Sequence, residues 1–343
     1  MYRARISWIA VVLMVCMGWA APAAAQSKLL VSLFFAPTHP VYSQVMVPWA
    51  KDLEKATSDA IKVEFAASSL APPPGQLDLV SKGIADVAIQ FSGLVPNRLP
   101  LTLVGEQFGP ITTARAMSIA LWRTHVKYFQ LAGEYKGLHL VALLAFPGQR
   151  LYTVKEPITS IEQLKRSKIA VTPGTLAKAY GSVTTGVVAV PAVRFFELVS
   201  KGTVDAFVVT PLELYGFNLV QNTKQEMRFD GTGATTGIFA VVMNEGKWKS
   251  LSKAQQDTFD KLSGEAFAAR MAVLDEAAEA ARNKARSEGM QLVDAPAAFN
   301  EELKKAFAFS VDEWVDEAKK RGVDGRAALD FYRAEHTRLA AGK

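Results

Sequence analysis

The stretch Leu77-Asp78-Leu79-Val80-Ser81-Lys82-Gly83-Ile84-Ala85-Asp86-Val87 returns 119 residues later as Phe196-Glu197-Leu198-Val199-Ser200-Lys201-Gly202-Thr203-Val204-Asp205-Ala206. Each copy reads as a helix, then a glycine where positive φ costs little, then an aspartate leading into an apolar strand. The separation is too long for a solenoid period, so the pair predicts two similar α/β lobes, each carrying this turn at the same place. In open α/β sheets ligands gather at the carboxyl ends of the strands. Two facing lobes would set two such edges around one cleft.

The segments on either side fit that plan. Lys28 to Phe34 and Ile61 to Phe65 read as strands, with an amphipathic helix over Pro40–Ala56 between them that turns Val45, Val47, Trp49, Ala50 and Leu53 inward. Pro72-Pro73-Pro74-Gly75 is a rigid loop before the first copy of the turn, and Val87 to Phe91 is a third strand. Strands alternating with helices imply a mostly parallel sheet. The C-terminal third is helical. Ser252-Lys253-Ala254-Gln255 fits a capping box, and helical pattern runs on to Glu288 before Gly289. A continuous helix over 253–288 would be about 54 Å long, enough to lie against both lobes. Gly264 stands inside it, where it can bend the rod or admit close packing.

Composition bounds the rest. Of 343 residues, 50% are hydrophobic and 21% charged, which fits a globular chain of two domains. The first 25 residues read as an export signal: basic Arg3 and Arg5, an apolar Ile6–Gly18, and Ala23-Ala24-Ala25 as the cleavage site before Gln26. The apolar part is too short for a comfortable membrane span. Cys16, the only cysteine, lies inside that signal, so the mature chain is expected to lack disulfides, cysteine-ligated metals and cysteine nucleophiles. The net charge of +6 falls to +4 once the two signal arginines leave, too little and too dispersed for a nucleic-acid partner.

A search for catalytic motifs is negative. His39, His125, His139 and His336 are scattered, and neither an HExxH nor a G-x-S-x-G sequence occurs. The run Gly231-Thr232-Gly233-Ala234-Thr235-Thr236-Gly237 lacks the spacing of a phosphate loop and reads as a plain loop. A binding protein without cofactor or metal is the reading these features favour over an enzyme. An exported hydrolase with a dispersed triad is the alternative from another class, and a sensory binding protein is the alternative within the same class.

Several stretches taken in order resemble one family. They are Ala36-Pro37-Thr38-His39-Pro40, Pro74-Gly75-Gln76-Leu77, Lys155-Glu156-Pro157-Ile158 before Ser160-Ile161-Glu162-Gln163-Leu164, Gly202-Thr203-Val204-Asp205, and Asn244-Glu245-Gly246-Lys247-Trp248. Over its mature length the chain resembles the periplasmic solute-binding component of TRAP transporters, the DctP type. The resemblance implies a two-lobed periplasmic-binding-protein fold that closes on a small organic acid. It also implies delivery to membrane permease subunits driven by an ion gradient, with the long helix spanning both lobes. The expected division is 26–147 plus about 236–265 as lobe I and 148–235 plus about 290–335 as lobe II. The mature chain is expected to be a periplasmic monomer.

The resemblance also supplies candidate ligand contacts. The family's carboxylate-clamping arginine, in a strand reading K-[IL]-R-V, is replaced here: Lys168-Ile169-Ala170-Val171 carries Ala170, with Thr172 after it. A guanidinium suits a carboxylate because its planar N–H pair meets two oxygens at once. Arg150 matches a second position that some members use for the carboxylate, and Arg194 is a candidate for the vacated role. Thr210 is the polar residue near the second copy's strand. Gln90, Phe91 and Ser92 follow the first copy's strand, while Phe35, Thr38 and His39 follow strand one. One cation, two aromatic rings and a few hydroxyl or amide groups would suit a monocarboxylate with an apolar or aromatic body better than a diacid. On that expectation an arginine at position 170 would restore affinity for diacids.

Overall fold

A computed structural model of the chain describes residues 26–229 and 235–342. The expected export signal, and residues 231–234 of the glycine-rich run, lie outside the described residues. The strands in chain order are β1 (Ser27–Ser32), β2 (Ile61–Phe65), β3 (Val87–Phe91), β4 (Leu138–Ala145), β5 (Arg150–Thr153), β6 (Ile169–Val171), β7 (Val187–Ala189), β8 (Ala206–Val209), β9 (Gln225–Arg228), β10 (Ile238–Asn244) and β11 (Gln291–Asp294).

They form two mixed sheets with the same plan. The first has the order β2-β1-β3-β10-β4 and the second, read in the matching direction, β7-β6-β8-β5-β9-β11. In each, the first three strands are parallel. The fourth (β10 or β5) runs antiparallel to both its neighbours. The second sheet adds β11 alongside β9. The fourth strand is inverted because it enters each sheet directly from the other lobe, not through a right-handed crossover helix.

The repeated turn is a structural repeat in atomic detail. The helices Gln76–Ser81 and Phe195–Ser200 end on Gly83 at φ 67° and Gly202 at φ 63°. The amide of Ile84 donates to Leu79 O at 3.1 Å and that of Thr203 to Leu198 O at 2.9 Å, the same helix-ending hydrogen bond twice. The Asp86 carboxylate accepts the Leu30 amide of β1 at 2.8 Å. The Asp205 carboxylate accepts the Lys168 amide, at the start of β6, at 2.9 Å. Each aspartate thus ties its turn to the neighbouring parallel strand, which is why both copies keep it.

Helices cover both faces of each sheet. On one face of the first sheet, Leu29, Val31 and Val87 pack with Trp49, Phe259, Phe267 and Leu274. On its other face, Val80, Leu143 and Val242 pack with Leu121, Trp314 and Leu329. The second sheet buries Leu151, Ile169 and Val208 against Phe299, Leu303 and Phe307 on one side. Its other side buries Tyr152, Ala170 and Phe207 with Phe195 and Ala285.

Three sequence expectations need correction. The helix over 40–56 opens with wide π-type turns over Val41–Met46 before becoming α-helical at Val47–Ala56. The rod expected over 253–288 is broken into Lys253–Lys261, Gly264–Ala268 and Ala272–Ser287. Gly264 causes the first break, and it both bends and admits packing: its φ is 56°, and a Cβ there would lie 2.6 Å from the Trp122 ring. The second break is a tighter 3-10 turn over Ala269–Met271. Helix Ala272–Ser287 still crosses between lobes, with Leu274 and Ala278 in the first lobe's core and Ala285 in the second's. The tail expected in lobe II divides instead. Helix Ala297–Phe307 covers the second sheet, whereas Phe309–Lys320 and Gly325–Ala340 return to the first. There the Trp314 indole N–H donates to Pro100 O at 2.8 Å. Trp314, Leu329 and Tyr332 are apolar residues that the Val80 face needs and the second sheet cannot use.

Candidate functional site

The carboxyl ends of β1 and β3 in one lobe face those of β6 and β8 in the other across a cavity of about 50 Å³. The first lobe lines it with phenylalanine. Phe34 and Phe35 follow β1, Phe91 ends β3, Phe146 follows β4, and Phe239 lies in β10. Phe239 and Phe91 are cross-strand partners, so their side chains share one face and their rings stand 5.0 Å apart. The Phe239 ring is also 4.0 Å from Phe146 and 5.8 Å from Phe35. Gly237 leaves room for this cluster, since a Cβ there would lie 3.3 Å from the Phe239 ring.

The second lobe and the crossing between lobes contribute the polar groups: Thr172 after β6, Thr210 after β8, Glu213, and Gln149. Thr210 caps the short helix Pro211–Gly216, its hydroxyl oxygen accepting the Leu212 amide at 3.2 Å while the hydroxyl itself donates to Glu213 Oε2. Glu213 is 7% exposed, and burial pushes its carboxyl up to about 7. Among the described residues that line the cavity it is the only ionisable side chain.

The lobes touch around this cavity. Gly174 has φ 98°, and a Cβ there would lie 2.9 Å from Gly93 O of the opposite lobe. The His39 imidazole stacks on Phe35 at 4.4 Å and reaches within 6.2 Å of Phe217 across the gap. Its Nδ1 accepts the Val41 amide at 3.2 Å, which leaves the proton on Nε2, a buried donor with no partner among the described residues. Burial lowers its pKa to about 4, so the ring is neutral. Glu106, buried in the first lobe, faces Thr175 of the second, and burial pushes its carboxyl up to about 8.

Of the residues singled out from sequence, Phe35, Phe91, Thr172 and Thr210 meet at the cavity, with His39 directly behind Phe35. Ser92 is buried beside them with its hydroxyl unpartnered. Thr38 is exposed and turned away. Gln90 supports the loop and does not line the cavity: its amide donates to Pro73 O at 3.2 Å and Phe91 O at 2.7 Å, and its oxygen accepts the Leu77 amide. Arg194 lies on the surface, paired with Glu197 one turn on at 3.0 Å, and is not among the residues lining the cavity. Ala170 is fully buried among Tyr152 and Phe207, so an arginine there would overpack the core and could not reach a ligand unaided.

Arg150 stands behind the cavity. Its Nη1 donates to Gln149 O at 2.9 Å, and its Nε is 3.7 Å from the fully buried Glu226. That carboxylate is already held by two hydrogen bonds from Arg282, at 3.1 and 2.8 Å. Arg282 also meets Glu279 at 3.2 Å, so Arg150 is the more loosely held of the two cations around Glu226.

Sequence reading missed Phe34, Phe146, Phe239, Phe217 and Glu213. The phenylalanines look like ordinary strand-end core residues until both lobes are assembled. Glu213 carried one usable signal, its place three residues after a Thr-Pro that starts a helix. A larger groove of about 730 Å³ opens elsewhere between the lobes, lined by Asn97, Lys178, Glu313, Trp314 and Arg321. It begins beside the first cavity, at Pro173 and Gly174 after β6, but runs out over helix Phe309–Lys320, where Lys178 and Glu313 already neutralise one another at 3.0 Å. The aromatic cavity is therefore the candidate site. Among the described residues, no cluster of His, Cys, Asp and Glu is arranged to hold a metal ion, and no helix is long and apolar enough to cross a membrane.

Comparison with known proteins gives a consistent picture. The DctP model, described as bacterial extracellular solute-binding protein, family 7, matches residues 31–318. The outer membrane transporter protein TsaT of Comamonas testosteroni is 35% identical over 320 residues, 92% of this chain and 94% of that one. A TRAP periplasmic solute-binding protein from Bordetella bronchiseptica, solved with bound (R)- and (S)-mandelate, superposes with a TM-score of 0.86 at 30% identity, covering 91% of this chain and 99% of that one. One from Rhodoferax ferrireducens, in complex with copurified benzoate, gives 0.83 at 25% identity over 91% and 99%.

Proposed function

The chain belongs to family 7 of the bacterial extracellular solute-binding proteins, the DctP family, and from that membership and the cavity we propose that it captures an aromatic monocarboxylate. The observation that carries this reading is the wall of Phe34, Phe35, Phe91, Phe146 and Phe239 that the first lobe turns toward the second. A planar apolar body fits between such rings, which favour offset and edge contacts. Its acid group would meet Gln149, Thr172 and Thr210, with the positive charge of Arg150 behind them. The relatives that hold mandelate and benzoate are consistent with that chemistry. A diacid would place a second charge against phenylalanine or Glu213, at a desolvation cost nothing in the cavity offsets.

The work is done by closure. A cavity of about 50 Å³ is far below the roughly 150 Å³ that takes up a benzene-sized guest, so entry requires the lobes to part. A ligand touching both walls then shifts the population toward the closed form. In this reading the protein is a monomer exported to the periplasm and cleaved after Ala25. It hands its ligand unaltered to the TRAP permease subunits and performs no catalysis. Thermal-shift measurements with benzoate, mandelate, succinate and a sugar acid test it. The aromatic monoacids should raise the melting temperature most, and a larger rise with succinate would overturn the reading.

A further inference from the structure

Resting on that reading, we propose that Glu213 binds the ligand's carboxylate as a carboxylic acid, so that one proton is taken up from solvent and shared between the two acids in the closed cavity. The cavity poses a problem that the geometry solves in this way. It is meant for an anion, position 170 carries alanine, and the one ionisable group that the described residues bring to its lining is itself acidic. Two carboxylates cannot both stay charged at hydrogen-bonding distance in a closed apolar site, and one proton between them turns repulsion into a short hydrogen bond. Thr210 gives its hydroxyl hydrogen to Oε2, so the shared proton would sit on Oε1.

Burial favours the neutral form of Glu213 and outweighs the hydrogen bonds from the Thr210 hydroxyl and from the Glu213 and Thr210 amides, which favour the charged form. From β5 the facing group is Tyr152, buried with an unpartnered hydroxyl and held well above its ordinary range by burial. The charges beyond it, Arg150, Arg282 and Glu226, are engaged with one another. From the first lobe the neighbour is neutral His39, against Gly216. From helix Ala272–Ser287, Lys284 lies over the Tyr215 ring at 4.3 Å. Glu213 has no ion pair of its own among the described residues, and burial already pushes its carboxyl up to about 7 before any anion arrives.

The test is titration calorimetry of the mature protein with benzoate at pH 8, repeated in two buffers of different ionisation heat. The expected result is net uptake approaching one proton per benzoate. Affinity should fall by about tenfold per pH unit above the titration point. In Glu213→Gln the uptake should vanish and the pH dependence flatten. Benzoate binding by the wild type without proton uptake would overturn the proposal and leave the proposed function standing, as would equal uptake in the variant. The two-buffer comparison on the wild type needs no variant to fold. If neither benzoate nor mandelate binds at any pH, both readings fall together.

Discussion

The two lobes repeat one turn but present different walls. In the first, the chain leaving the Asp86 turn runs through β3 to Phe91, and the opposing strand β10 answers with Phe239. In the second, the chain leaving the Asp205 turn runs through β8 to Thr210 and the helix carrying Glu213. The turns share their glycine, their helix-ending hydrogen bond and their aspartate tie, because those features serve the sheet. The strand ends share nothing, because they serve the guest. Fold is repeated, and recognition is split into an apolar half and a polar half.

The sharpest way to break that division is to remove the apolar wall at its centre. Phe239→Ala should cost about 3–5 kcal/mol of stability, the usual range for emptying a buried phenylalanine site. It should also abolish benzoate binding in calorimetry. Retained binding would show that the ring cluster is only core.

The pair of arginines at the crossing separates structure from recognition. Arg282→Met leaves the fully buried Glu226 with only the distant Arg150 Nε, so a stability loss of about 3 kcal/mol is expected in chemical denaturation. Arg150→Ala removes the more loosely held cation, beside Gln149 of the cavity. It should weaken benzoate binding by about tenfold, about 1.4 kcal/mol, with a smaller effect on melting. The reverse pattern would reassign the two roles.

Much of the fold was legible because it depends on local chemistry. The glycine-aspartate turn, the Ser252 capping box and the β2 and β3 boundaries each follow from a few adjacent residues, and the capping box forms with both of its hydrogen bonds. The site was legible only in part. Phe35, Phe91, Thr172 and Thr210 follow strands and could be placed by position. Phe146, Phe239 and Glu213 reach the cavity only because two chain crossings bring β4, β10 and the second lobe together, and no local pattern encodes that. Arg194 misled because a cation next to a missing cation looks like compensation. Its own helix gives it Glu197 instead. The return of residues 309–340 to the first lobe is also a long-range choice, decided by which core had room for Trp314, Leu329 and Tyr332.

A smaller effect comes from pH. Burial raises Glu106 to about 8 and both Glu134 and Glu213 to about 7. Groups raised on folding favour the native state fully below their unfolded value near 4.3, and that contribution is lost as pH rises through 7 to 8. Glu335, held near 2 by Arg338 and Arg123, acts in the opposite sense, but only below that window. The four histidines, each lowered to about 4 by burial, act in the opposite sense up to about pH 6.5. Melting temperature should therefore fall between pH 7 and pH 9, and less steeply in Glu106→Gln. An identical slope in the variant would remove Glu106 as a source.

Closure can be probed through Gly174, whose positive φ and contact with Gly93 O leave no room for a side chain. Small-angle scattering of the wild type and of Gly174→Ala, each with and without saturating benzoate, measures the jaw movement directly. The expected result is a radius of gyration that falls on binding in the wild type and stays high in the variant. A wild-type profile that does not change with benzoate demonstrably bound would contradict capture between closing lobes.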